Sequence, residues 1–213
     1  MNQLNQIILE GIAVDNAVTV EIPSLKILFT VETSRTYKGT DGTVKEVSYF
    51  DVEYYGFNVK DLVNQCYEEL KPLALNKNLE FNLNCDIPEE TEIYADKAEI
   101  KRVMINLCGN AVNYTNKDGK IDIFAKTQEG DFIFSVADNG NGIPREDIPH
   151  LFMRFSQGTS KKRSTGTGLG LYLSRQIVEA HNGKILLESK VNKGSEFTFI
   201  LPDCVQNIEV KNG

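Results

Sequence analysis

The chain has 213 residues, room for one large domain or two small ones. Hydrophobic residues make up 41% and charged residues 25%, which excludes a disordered or fibrous chain, and no run approaches the roughly 18–20 apolar residues of a membrane span. With 23 Lys+Arg against 30 Asp+Glu the net charge is −7, the wrong sign for a chain whose affinity rests on nucleic-acid phosphates.

In chain order, residues before Gly56 read as all-β. Gln6–Glu10, Leu25–Ser34 and Val47–Tyr55 are rich in Ile, Val, Phe, Tyr and Thr, and Gly39-Thr40-Asp41-Gly42 reads as a hairpin loop. After Gly56 helices and strands mix. Helices are expected over Val59–Leu75, Lys97–Tyr114 and Leu169–His181. Strands are expected over Leu79–Asn84, Lys120–Thr127, Asp131–Ala137, Lys184–Glu188 and Glu196–Leu201. That order predicts an α+β sandwich with helices stacked on one face of a sheet. Cys66, Cys85, Cys108 and Cys204 are widely spaced with no Cys-x-x-Cys pair, which argues for reduced thiols rather than zinc ligands. Met1–Gln6 has no basic n-region, so no secretory signal is expected and the chain reads as cytoplasmic.

The helix over Lys97–Tyr114 carries two stripes. At about 100° per residue, Ile100, Met104, Leu107 and Ala111 form the core face. Asn106, Asn110 and Asn113 form a second stripe. Asparagine competes for backbone hydrogen bonds and is a mediocre helix former, so three together ask for a reason. Either this is a polar helix surface, or it is a row of neutral oxygen ligands facing a metal-bound phosphate; an amide oxygen enters the shell of Mg²⁺ without adding negative charge.

Two glycine turns follow. Asp138-Asn139-Gly140-Asn141-Gly142 closes a strand in a tight polar turn, where Gly140 and Gly142 let a flat ligand approach. The Asp138 carboxylate can accept from an exocyclic amine, which selects adenine over guanine; an ordinary Asp/Gly loop is the other reading. Gly166-Thr167-Gly168-Leu169-Gly170-Leu171 ends a polar loop and opens a helix, whose N-terminal N–H groups suit phosphate. Lys161-Lys162-Arg163 in that loop either cover phosphates or form a solvated charge run. The loop over residues 158–165 holds no large apolar residue and is expected to order on nucleotide.

Together these segments resemble the ATP-binding catalytic domain of sensor histidine kinases, in the gyrase-type (Bergerat) ATPase superfamily, over residues 57–202. The N box resembles Asn106–Thr115, the G1 box Asp138–Pro144, the F box Leu151-Phe152-Met153-Arg154-Phe155 and the G2 box Gly166–Leu171. The resemblance implies a two-layer α/β sandwich of Bergerat type over 57–213, a mixed sheet with helices on one face, preceded by a small all-β segment over 1–56. It implies ATP and Mg²⁺ as cofactors. Asn110 would ligate the metal, with Asn106 beside it toward the phosphates and Tyr114 along the nucleotide. Asp138 would hold the adenine amine, with Thr198 behind it, and Arg154 would reach the γ-phosphate. Gly166, Thr167, Gly168, Leu169 and Gly170 would close on the phosphates. Asn113 stands where the family often has Lys or Arg, and Lys161, Lys162 or Arg163 would supply that charge. Hydrolytic relatives place Glu at the position of Asn106; an amide cannot take a proton from water, so the site should hold ATP for a separate acceptor.

That acceptor, in the family, is a histidine on a dimerising hairpin, followed by a response regulator. His150 and His181 do not lie in such a hairpin, so the chain by itself should not autophosphorylate. Residues 1–56 resemble the first half of the OB-fold of bacterial single-stranded-DNA-binding proteins, with Tyr55 at a base-stacking position. The segment carries 4 Lys+Arg against 8 Asp+Glu, a net of −4, which opposes strand binding. It reads as a fused appendage or self-pairing element. A single-stranded-DNA-binding module and a nucleotide-dependent interaction domain without catalysis are the alternative functions.

Overall fold

The computed structural model describes residues 12–13, 18–20, 26–39, 42–155 and 168–207. The chain divides into two compact units, 1–56 and 57–213. In the first, β3 (Lys26–Gly39) and β4 (Gly42–Tyr55) form a long antiparallel hairpin, paired from Lys26 with Tyr55 to Gly39 with Gly42. Two short strands not expected from the sequence, β1 (Ile12–Ala13) and β2 (Val18–Val20), pair with β3. Strand β3 runs beyond Ser34, because the polar residues to Lys38 stay in register with β4. The strand expected over Gln6–Glu10 lies outside the described residues.

The second unit is a five-stranded mixed sheet with order β10-β11-β9-β8-β6. Its strands are β6 (Glu80–Asp86), β8 (Lys120–Gln128), β9 (Asp131–Asp138), β10 (Lys184–Lys190) and β11 (Gly194–Leu201). Only β6 and β8 run parallel. Helices α1 (Val59–Asn76), α2 (Lys97–Tyr114) and α3 (Gly170–Ala180) follow the expected segments within a residue or so. A three-stranded ribbon of β5 (Phe57–Asn58), β7 (Thr91–Ile93) and β12 (Val205–Asn207) was not legible, since two- and three-residue strands carry no periodicity.

Each helix starts where its sequence says. Asn58 accepts the N–H of Asp61, and Asp96 accepts those of Ala98 and Glu99 at 3.0 Å each, capping α1 and α2. The core fills one side of the sheet: Phe132, Phe134 and Phe199 are fully buried against Leu62, Ile100, Met104 and Leu107. Burying a side chain of this size contributes about 1.5–3 kcal/mol. Strand alternation sends the other residues of each strand to the opposite, helix-free face. At the far end of α3, His181 ties two helices together. With the proton on Nδ1 it donates to the Ile177 carbonyl at 2.8 Å, and its Nε2 accepts the Asp96 N–H at 3.0 Å. His150 is exposed in a 3₁₀ turn over Ile148–His150.

Candidate functional site

Three of the sequence boxes converge on α2. The G1 turn is built by its own side chains. Asp138 ends β9, and its carboxylate accepts the N–H of Gly140 at 2.8 Å and a backbone N–H of Ser195. Asn139 accepts the Lys120 N–H at 2.7 Å and Asn116 donates to Asn141 at 3.1 Å, so both sides of the turn are laced to neighbouring loops. Gly140 lies against the end of α2: a side chain there would meet the Tyr114 carbonyl oxygen at 2.6 Å and Thr115 at 3.0 Å. Gly142 has φ +66°, and a Cβ would collide with the Lys190 carbonyl. Burial pushes the Asp138 carboxyl above the usual range, and the two backbone donors pull it back. A carboxylate so placed still offers free lone pairs to an amine.

The N-terminus of α3 meets the middle of α2. Asn106 donates its amide N–H to the buried Ser174 hydroxyl at 2.8 Å, and its Oδ1 lies against Gly170, where a Cβ would overlap it. Gly168 has φ +69°. Leu169 stands at the N-cap position without a side-chain cap, so the first N–H groups of α3 are available to an anion. Arg154 stacks its guanidinium over Tyr172, in the first turn of α3, at 4.9 Å, and Arg175 lies over Phe152 at 5.9 Å. These contacts hold the F box on the same helix end.

Asn110, one turn on from Asn106, is half-buried, and Asn113 and Tyr114 are exposed at the end of α2. No group of three or more His, Cys, Asp or Glu that could hold a metal occurs among the described residues. The residues present would suit a magnesium ion held mainly by phosphate and water, to which this chain would give one neutral oxygen, the Asn110 amide. Lys161, Lys162, Arg163, Gly166 and Thr167 lie outside the described residues.

One expected residue is corrected. Thr198 does not stand behind Asp138. It points to the helix-free face, where its hydroxyl is 2.7 Å from that of Ser135. The reason is strand parity: Phe197, Phe199 and Leu201 face the core, so Thr198 cannot. The residue beside Asp138 is Ser195, its direct partner in the β9–β11 pairing. Ser195 lies 2.9 Å from Ser189, whose hydroxyl accepts the Ile143 N–H of the G1 turn at 2.8 Å. The alternation of Phe197, Phe199 and Leu201 carried that signal. Lys77 was also missed. Its ammonium donates to the carbonyls of Val112 at 2.8 Å and Asn113 at 3.0 Å, at the C-terminus of α2.

A cavity of about 620 Å³ opens between α2 and α3, lined by Lys101, Arg102, Ile105, Leu173 and Ile177, and it reaches the opening of α3 at Asn106, Leu169, Gly170 and Ser174.

Residues 95–204 match the family described as "Histidine kinase-, DNA gyrase B-, and HSP90-like ATPase". The chain belongs to this family. It is 36% identical over 151 residues, 69% of its length, to the circadian input-output histidine kinase CikA of Synechococcus elongatus, and covers 20% of that protein. The catalytic domain of histidine kinase ThkA superposes with a TM-score of 0.63 at 33% identity, over 71% of this chain and 97% of that one. Full-length ShkA in complex with AMPPNP matches with a TM-score of 0.62 at 27% identity, over 71% of this chain and 31% of ShkA. ThkA has also been seen in complex with the response regulator TrrA; that structure matches with a TM-score of 0.58 at 29% identity, over 72% of this chain and 42% of that one. The chain spans about a fifth of the length of the first curated relatives it matches. This region is an ATP-binding catalytic domain of the histidine-kinase type. No helix among the described residues is long and apolar enough to cross a membrane.

Proposed function

We propose that residues 57–213 hold ATP·Mg²⁺ and pass its γ-phosphoryl group to a histidine on a separate helical hairpin, with a response regulator downstream. The observation that carries the reading is the meeting of three boxes on one helix: Gly140 against Tyr114, and Gly170 against Asn106. Asp138 accepts the adenine amine at one end. The N-terminus of α3 and Arg154 receive the phosphates at the other. Asn110 holds the metal, which when bound draws charge from the phosphate oxygens. Asn106 is committed to Ser174 and, being an amide, takes no proton from water; hydrolysis is therefore slow and the phosphoryl group waits for an imidazole nitrogen. As the new P–N bond forms, the bond from the γ-phosphorus to the bridging oxygen breaks and ADP leaves. The α2–α3 cavity, beside the phosphate end, receives the hairpin. Residues 1–56 are a separate β-unit appended to this domain. A cytoplasmic setting suits the four free cysteines, three of them buried. Burial pushes the Cys66 and Cys204 thiols up to about 11, which leaves them inert near neutral pH.

The test is calorimetry with an ATP analogue in Mg²⁺ and in EDTA. Asn110→Ala weakens binding about tenfold or more in Mg²⁺ and little in EDTA, because the lost ligand acts through the ion. With labelled ATP the chain alone gains no phosphohistidine, and a compatible hairpin added in trans becomes labelled. Equal losses in both buffers, or stoichiometric label on His150 or His181, would refute the reading.

A further inference from the structure

The helix-free face of the five-stranded sheet has a pattern that the nucleotide site does not use. Phe124 on β8 and Leu186 on β10 are 43% and 46% exposed there. They lie in one row across the sheet, because pairing links Phe124 to Ser135, Ser135 to Thr198 and Thr198 to Leu186. The next row toward one end carries Lys126 and Lys184, separated by the half-buried Ile133 and Ile200, with Asp86 beyond Lys126. The row toward the other end carries Asp122, Glu196 and Glu188. One row sums to 2 − 1 = +1 and the other to −3. Glu188 and Glu196 are directly opposite each other on neighbouring strands, an arrangement that costs stability by itself. Ser135 donates to Glu196 at 2.6 Å, and Lys120 pairs with Asp122 at 3.1 Å; Glu188 stays exposed at the sheet edge.

We propose that this face binds a second copy of the chain, sheet against sheet, about a two-fold axis that runs across the strands through the row of Phe124 and Leu186. Such an axis lays each strand over its own copy in the opposite direction. The Lys126–Lys184 row then covers the acidic row of the partner, so each Lys184 faces the partner's Glu188. An axis along the strands would instead set lysine over lysine, so charge selects between the two packings. Phe124 and Leu186 meet their own copies on the axis and lose water there. Five strands at about 4.8 Å by roughly 17 Å of strand give about 400 Å² per copy. That is well below the roughly 800 Å² per partner of a standard interface, so the dimer is weak and transient.

The experiment is sedimentation equilibrium of the full chain at rising concentration, with Lys184→Glu, Glu188→Lys and the double reversal. Each single reversal sets like charges face to face twice per dimer and weakens association by about tenfold. The double reversal restores it to within about twofold. In parallel, Leu186→Cys is joined to its own copy by a thiol-specific bifunctional cross-linker that spans the roughly 10 Å between stacked sheets, and Leu73→Cys, exposed on α1, is not. A chain that stays monomeric at the highest concentration overturns the proposal. So does association that ignores both single reversals, which would place the contact elsewhere, including in residues 1–56.

Discussion

The two glycine turns at the site look alike in sequence and differ in what holds them. At the G1 turn, Gly140 and Gly142 are wedged against main-chain atoms, the Tyr114 and Lys190 carbonyls, and the turn is laced by Asp138, Asn139 and Asn141. At the G2 turn, the atoms nearest a Cβ at Gly170 belong to the Asn106 side chain, and Leu169 leaves the helix uncapped. A backbone cannot step aside without unfolding a strand pairing, whereas a side chain can change rotamer. The G1 turn is a fixed mould; the G2 turn is adjustable, which would suit the held and then surrendered phosphoryl group of the proposed function.

The largest test of that contrast is Gly142→Ala. The new methyl meets a strand carbonyl at a left-handed φ, and the variant loses roughly 2–5 kcal/mol of stability in urea unfolding. A change under about 1 kcal/mol would mean that the G1 turn is not rigid. Next comes Asp138→Asn, which swaps an acceptor for a group that can present a donor to the adenine amine. ATP binding weakens by about 1–3 kcal/mol, read by calorimetry, while the melting temperature moves little. Gly170→Ala has a smaller effect: nucleotide affinity falls about tenfold at nearly unchanged stability, and adding Asn106→Ser recovers part of it. If Gly170→Ala unfolds the domain as Gly142→Ala does, the two ends are equally rigid.

The smallest effect is one of pH. Burial raises the Asp138 carboxyl, so folding favours its neutral form more than the unfolded chain does. The associated stability is fully present below the unfolded pKa and is lost as pH rises through the folded value. Asp138→Asn therefore melts slightly above the parent at neutral pH, and the gap closes on acidification into the carboxylate range. ATP affinity moves the other way, falling in acid as the acceptor is protonated. A gap that widens in acid would show that the Gly140 and Ser195 donors outweigh burial.

What could be read from the sequence was what is local. The Asn stripe of α2, the Asp138 turn and the opening of α3 are each coded within a few residues, and the fold class followed from element order. Thr198 was misplaced although its strand was found, because a strand's faces are assigned only when its alternation is followed through Phe197, Phe199 and Leu201. Ser195 and Ser174 come to the site through pairings formed 57 and 68 residues away in the chain, with Asp138 and Asn106 respectively. No spacing rule reaches that far. The ribbon of β5, β7 and β12 is held by pairing alone and left no pattern to read.

Lys77 shows how a charge can be supplied in space when it is missing in sequence. A helix presents about half a negative charge at its C-terminus, and α2 ends at Tyr114, against Gly140 of the G1 turn. Position 113 carries an amide where the resemblance leads one to expect a cation. The Lys77 ammonium, arriving from the end of α1, sits on the last carbonyls of α2 at Val112 and Asn113. It turns the negative end of the helix into a locally neutral or positive one. The charge at the C-terminus of α2 is thus countered by a residue 36 positions upstream of Asn113.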